Sequence, residues 1–120
     1  MKKTSTTAPS LVETAFNSFR QKVHTINFNI VLPKEEGGEY EYESLEVPPG
    51  QFNYGGLVSL LVRHKYTDDM MAAVQNNFLA TYGMEYTEEG QAHQLEFAEM
   101  QAWRETAKAL AHRFLEEVQE

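Results

Sequence analysis

The apolar positions in the last quarter of the chain predict one long amphipathic helix, from Gly90 to Glu120. After Gly90 this stretch contains neither Gly nor Pro, and most of its residues have high helix propensity. Its apolar residues recur at steps of three, four and seven positions, which places them on one helix face. That face consists of Leu95, Trp103, Ala107, Leu110, Phe114 and Val118. A helix of about 28 residues would be about 42 Å long.

Two stretches with a period of two predict strands. Over residues 26–32, Ile and Phe alternate with Asn, and Pro33 ends the run. Residues 34–38 include two glycines and predict a turn. Over residues 39–47, Tyr alternates with Glu before Leu and Val follow. Two strands joined by a short loop predict an antiparallel hairpin, which requires a helix or another chain's strand to cover its apolar face.

Capping patterns predict further helices. Ser10, with Glu13 three residues later, predicts a short helix that ends near Lys22. The apolar cluster over residues 57–62 predicts another, which ends in a basic turn. The segments 66–69 and 86–89 both read tyrosine, threonine and two acids, so helices are expected to begin near residues 68 and 88. In the helix that begins near residue 68, four apolar side chains are expected to point toward the core: Met70, Met71, Val74 and Phe78.

These elements predict an α+β fold, in which a two-stranded antiparallel hairpin packs on three to four helices and the last helix is long. Residues 1–9 are polar and end in Pro9, which predicts a flexible N-terminal arm. Residues 10–120 are expected to form a single domain, since one compact domain is usual at this length.

Composition narrows the functional classes. The chain has 120 residues, a net charge of −8 and no cysteine, which excludes disulfides and cysteine zinc sites. The negative charge argues against duplex nucleic acid and anionic membranes as partners. The start of the chain lacks the apolar core of a secretory signal, and no run approaches the ~20 apolar residues of a membrane span. A location in the cytoplasm is therefore expected.

The residue types that carry out catalysis do not occur in catalytic patterns. The four histidines lack the spacing of metal ligands, and Gly55-Gly56 lacks the remaining residues of a phosphate-binding loop. Glu41 and Glu43 lie on one face of a strand and are the one candidate carboxylate pair, but alternating glutamates also protect strand edges from aggregation. No enzymatic activity, cofactor or metal is expected.

Two segments carry a resemblance to a known group of proteins. They are Arg63-His64-Lys65-Tyr66-Thr67-Asp68-Asp69-Met70-Met71-Ala72-Ala73-Val74 and Glu96-Phe97-Ala98-Glu99-Met100-Gln101-Ala102-Trp103-Arg104-Glu105-Thr106-Ala107-Lys108. They resemble small uncharacterised tail-region accessory proteins of tailed bacteriophages and prophages, over about residues 57–110. Here the link from Tyr82 to Gln91 is longer than the resemblance leads us to expect. The resemblance implies a phage or prophage accessory protein and assigns no functional residue.

Two functions remain as hypotheses. The first is a non-enzymatic phage or prophage accessory protein, tail-associated, which acts by protein–protein interaction or assembly and has a phage structural protein as its candidate partner. It would reside in the host cytoplasm or on the virion. The alternative is a protein that binds or sequesters a small ligand, for example a nucleotide. Its pocket would be lined by Tyr40, Tyr42, Phe52, Tyr54 and Trp103.

The length of the last helix also predicts a homo-oligomer. A helix of about 42 Å exceeds the radius of gyration near 14 Å that is usual for this chain length, so its end would project and bind a second chain. The candidate interface residues are Trp103, Leu110, Phe114, Leu115 and Val118. The edge of the strand over residues 26–32 is a second candidate interface. For Trp103 the pattern leaves core and interface equally open.

Overall fold

The computed structural model describes residues 2–118, which form four strands followed by three helices. These are β1 (Lys2–Ser5), β2 (Val12–Phe16), β3 (Lys22–Val31), β4 (Tyr40–Val47), α1 (Tyr54–Lys65), α2 (Asp68–Ala80) and α3 (Glu88–Val118).

The chain divides into two compact units, with boundaries after Leu57 and after Ala109. The first unit contains the four strands, the start of α1 and the end of α3. The second contains the rest of α1, all of α2 and most of α3. The expectation was one domain over residues 10–120.

The strands form one antiparallel sheet in the order β1-β4-β3-β2. The α+β class is confirmed, and the expected hairpin is present as β3 and β4 at the centre of the sheet. The expectation of only two strands is wrong, because β1 pairs with β4 and β2 pairs with β3. Consequently β3 has a strand on each side over residues 24–26, so β2 covers only the start of the edge over residues 26–32 that was a candidate interface.

The N-terminal region differs most from the sequence-based expectation. Lys2–Ser5, expected in a flexible arm, forms β1, and Val12–Phe16, expected in a helix, forms β2. The tight turn between β2 and β3 explains the second difference. Asn17 Oδ1 accepts hydrogen bonds from the backbone N–H groups of Phe19 and Gln21, both at 2.9 Å, and Arg20 adopts a φ of 59°. This turn reverses the chain, so that Val12–Phe16 pairs with β3. Hydrogen bonding between the two strands therefore outweighs the helical spacing of the apolar residues in this segment.

The first unit buries one face of the sheet. Ile26 and Phe28 of β3 share this face with Val47 of β4, as the register shows. The apolar side chains of this unit with at most 1% exposure are Ile26, Phe28, Val47, Leu57, Ala111 and Phe114. The end of α3 therefore contributes to the core of this unit.

A β-bulge interrupts the hairpin after Phe28. Phe28 lies opposite Glu43, but Val31 lies opposite Glu41, so β3 has one residue more than β4 in this interval. Asn29 adopts a φ of 51° there, and its Nδ2 donates to Glu43 Oε2. Asparagine tolerates this left-handed conformation better than most residues.

The second unit is helical, and its helices begin where the capping patterns indicate. Thr67 Oγ1 accepts from the N–H of Met70 at 3.1 Å and caps α2. Phe78 of α2 stacks on Phe97 of α3, with ring centroids 4.2 Å apart. Of the four α2 residues expected to point inward, Met70 is exposed and the other three are only half-buried. The predicted long helix is confirmed as α3, and residues 119 and 120 lie outside the described range.

Candidate functional site

The five predicted interface residues do not form one exposed surface. Trp103 is 7% exposed and Phe114 is fully buried, so each belongs to the core of its own unit. The indole N–H of Trp103 donates to Leu61 O at 3.0 Å, which satisfies this group inside the second unit. Leu110 and Leu115 are half-buried, and Val118 is exposed. A second chain would not contact Trp103 or Phe114 in this fold, and for Trp103 the structure decides in favour of the core.

Large apolar side chains are instead exposed at the end of α2 and in its connection to α3. Over residues 79–86, here called the apolar turn, exposure ranges from 37% for Met84 to 82% for Tyr86, with Leu79 and Tyr82 at 67% and 71%. The local sequence patterns predict only a link between helices here, so this exposed surface was not expected. The available signal was the presence of large apolar residues at positions that no helix face requires.

Backbone hydrogen bonds fix the shape of the apolar turn. The N–H of Met84 donates to Thr81 O at 2.9 Å, and the N–H of Thr87 donates to Met84 O at 3.0 Å. Thr87 Oγ1 also donates to Met84 O at 2.8 Å and accepts from the N–H of Gly90. A Cβ atom at Gly90 would collide with Met84 O, so only glycine allows the start of α3 to approach the turn this closely. The apolar side chains therefore extend from an ordered backbone.

The charges around the apolar turn have one sign. Glu85 lies within it, and Glu88 and Glu89 follow at the start of α3, all exposed. The sequence contains no Lys or Arg between Tyr66 and Trp103. An apolar surface with an acidic border favours a partner with apolar and basic groups.

The two outer strands of the sheet differ in composition. β1 has lysine at two of its four positions, whereas β2 has one charged residue, Glu13, among five. Charged side chains, lysine above all, protect an edge strand against pairing with another chain. β2 lacks most of this protection, and Phe16 at its end is 71% exposed.

A cavity of about 560 Å³ lies beside β1 on the sheet. It brings together the candidate carboxylate pair, Glu41 and Glu43, with two lysines. Its lining residues are Lys2, Lys3, Thr4, Asn29, Val31, Glu41, Tyr42 and Glu43. Lys2 lies opposite Glu43 in the register, and Asn29 donates to the same carboxylate. The charges of the cavity are thus partly neutralised by one another.

The aromatic residues expected to line a ligand pocket occupy separate places. Tyr42 lines this cavity, while Phe52 stacks on His24 with ring centroids 4.0 Å apart. Tyr54 packs on His112 at 4.7 Å, and Trp103 is buried.

The histidines are placed apart as well. Burial lowers the pKa of His24 from its ordinary value of 6.5, and the charge of Lys22 lowers it further. His93 lies between two carboxylates of α3, 3.8 Å from Glu89 and 3.6 Å from Glu96. Among residues 2–118, no group of three or more His, Cys, Asp or Glu side chains has an arrangement that could hold a metal ion.

Comparison of the chain with protein-family models, with curated proteins and with solved structures finds no match. Among the described helices, none combines the length and the apolar character that crossing a membrane requires.

Proposed function

We propose that this protein is a non-enzymatic accessory protein of a tailed phage or prophage, which acts by protein–protein interaction and is associated with the tail. The apolar turn is the observation that carries the proposal. It would bind a phage structural protein, either in the host cytoplasm or on the virion.

The exposure of the apolar turn supports a binding role. Leu79, Tyr82 and Tyr86 are each more than 60% exposed, and burial of such side chains releases about 25 cal/mol for each Å² of apolar surface. Tyrosine is also enriched at the energetically dominant positions of interfaces.

The fixed backbone of the apolar turn favours binding, and the negative charge around it indicates the kind of surface that it would bind. Because hydrogen bonds already fix the backbone at Met84, binding requires little further ordering of the chain. The acids at Glu85, Glu88 and Glu89 favour a partner surface with lysine or arginine around an apolar centre. The segments that carry the resemblance, 63–74 and 96–108, lie on either side of the apolar turn and support a phage protein as that partner, although the link from Tyr82 to Gln91 departs from the resemblance.

Two measurements test the proposal. The gene should lie beside tail or lysis genes, and a place in a metabolic operon would count against a phage role.

The tagged protein, expressed with the products of the neighbouring genes, should then retain one of them. We expect Tyr86→Glu to reduce this retention at least tenfold, because it replaces the most exposed aromatic side chain of the apolar turn with a charged one. Gln75→Glu is the matched control, since it adds the same charge at an exposed position of α2. Equal retention of the two variants would contradict the role of the turn.

The alternative, a small-ligand-binding protein, is favoured by the cavity beside β1. Its volume lies within the range usual for ligand sites. If a nucleotide binds there, Lys2 and Lys3 would contact its phosphates, and nucleotide should raise the melting temperature of the wild type. The double variant Lys2→Ala/Lys3→Ala should lose this rise. A wild-type melting temperature that is unchanged by nucleotide would exclude this ligand class.

A further inference from the structure

We propose that β2 is the interface of a homodimer, in which it pairs antiparallel with β2 of a second copy about a two-fold axis at Thr14. This inference goes beyond the proposed partner binding and does not rest on it, because β2 belongs to the first unit and the apolar turn to the second.

The backbone of β2 has the geometry that this pairing requires. The N–H of Asn27 donates to Leu11 O at 2.9 Å, and these residues lie opposite each other by extension of the β2–β3 register. Hydrogen-bonded pairs alternate along an antiparallel ladder, so Glu13 and Ala15 also direct their backbone groups toward β3. The N–H and C=O groups of Val12, Thr14 and Phe16 therefore point away from the sheet.

A two-fold axis at Thr14 uses all of these outward groups. Thr14 would lie opposite Thr14 of the second copy, and Val12 opposite Phe16, in pairs that exchange about six backbone hydrogen bonds. Glu13 would lie opposite Ala15, so no like charges meet. An axis at Glu13 would place the two glutamates opposite each other, and an axis at Ala15 would leave Val12 and Glu13 of β2 unpaired.

The side chains agree with this register. Val12 and Phe16 lie on the same sheet face as Ile26, because Val12 is opposite Ile26 and positions two apart share a face. Phe16 is 71% exposed in the single chain. In the dimer it would pack beside Val12 of the second copy and extend the apolar face of both sheets. Aromatic and β-branched residues form favourable cross-strand pairs of this kind.

The other edge strand, β1, is less suited than β2 to pair with a second copy. A similar pairing of β1 with itself about Lys3 would place the Lys3 side chains of two copies opposite each other, which is unfavourable, and an axis at Thr4 would leave Lys2 outside the pairing. No such repulsion arises at β2.

Sedimentation equilibrium tests the inference. We expect the wild type at tens of micromolar to sediment at twice the 13.8 kDa of one chain. Thr14→Lys and Thr14→Glu should each weaken the dimer at least tenfold, because each places like charges opposite each other at the axis. An equimolar mixture of the two variants should dimerise again, which a folding defect would not allow. Thr4→Lys is the control, since it adds the same charge to an exposed position of the other edge strand and should leave the dimer intact.

Several results would overturn the inference. These are a monomeric wild type, a Thr14→Lys variant that remains dimeric, or a mixture of the Thr14 variants that stays monomeric while each variant keeps its far-ultraviolet spectrum. Tyr86→Glu should remain dimeric, so a failure of the proposed partner binding is distinguishable from a failure of this interface.

Discussion

Trp103 and Phe114 illustrate how two residues on one helical stripe have different surroundings. Both follow the apolar periodicity of α3, but Trp103 is buried in the second unit and Phe114 in the first. The indole N–H of Trp103 has its acceptor at Leu61 O, as a buried tryptophan requires. Periodicity identifies an apolar position. It does not identify which neighbour covers the side chain.

His24 gives the protein a defined pH dependence. Burial of the ring, and then the charge of Lys22, lower the pKa of His24 below its ordinary value of 6.5. The unfolded chain therefore binds a proton at His24 at a higher pH than the folded chain does. Consequently the contribution of His24 to stability is fully present above pH 6.5 and is lost as the pH falls from there toward the lowered pKa.

We expect His24→Phe to reduce this loss. The substitution removes the titrating group and retains an aromatic ring beside Phe52. Urea unfolding measured between pH 7 and pH 5 should show a free energy of unfolding that falls less steeply in the variant than in the wild type. Equal slopes in the two proteins would contradict the assignment.

At the scale of elements, the start of α1 depends on two adjacent glycines with different surroundings. Asn53 Oδ1 accepts from the N–H of Gly56 at 2.8 Å and caps the helix. A Cβ atom at Gly55 would meet only Asn53 Oδ1, at 3.8 Å, whereas one at Gly56 would collide with the carbonyl oxygen of Gln51. The segment from Gln51 to Asn53 therefore packs against Gly56 and leaves Gly55 open.

Alanine substitutions at these glycines should have opposite effects. Gly55→Ala should stabilise the protein by about 0.5–1 kcal/mol, because alanine is the better helix former and its methyl group has space. Gly56→Ala should destabilise it by about 1–3 kcal/mol, because the backbone of Gln51 must move. Urea unfolding of both variants at pH 7 measures the difference. A Gly56→Ala variant that is as stable as the wild type would show that the close approach at Gly56 is not required, and a destabilised Gly55→Ala would contradict the open space at Gly55.

At the scale of the whole molecule, the two proposed surfaces belong to different units. β2 is an edge of the sheet in the first unit, and the apolar turn is part of the helical second unit. A surface for a second copy and a surface for another protein would thus coexist in one chain of 120 residues. This arrangement suits an assembly protein, whose copies associate with one another while each binds a structural partner.

Local sequence patterns are sufficient to predict the features that depend on neighbouring residues. The β3–β4 hairpin follows from alternation on both sides of a glycine turn, and the starts of α2 and α3 follow from a threonine cap and two acids. The length of α3 follows from a long run without Gly or Pro. Each of these signals lies within a few residues of the element that it specifies, so it can be identified without knowledge of the fold.

Features that depend on distant residues are specified by contacts that form only in the folded chain. Lys2–Ser5 is a strand because Tyr40–Glu43 lies beside it, and Val12–Phe16 is a strand because β3 does. Because β2 pairs with β3, β3 lies in the interior of the sheet and β2 forms one outer edge. Because β1 pairs with β4, β1 forms the other outer edge. The burial of Trp103 and Phe114 and the exposure of the apolar turn likewise depend on packing within each unit. These contacts join positions that are far apart in the chain, and no local pattern specifies which of them form.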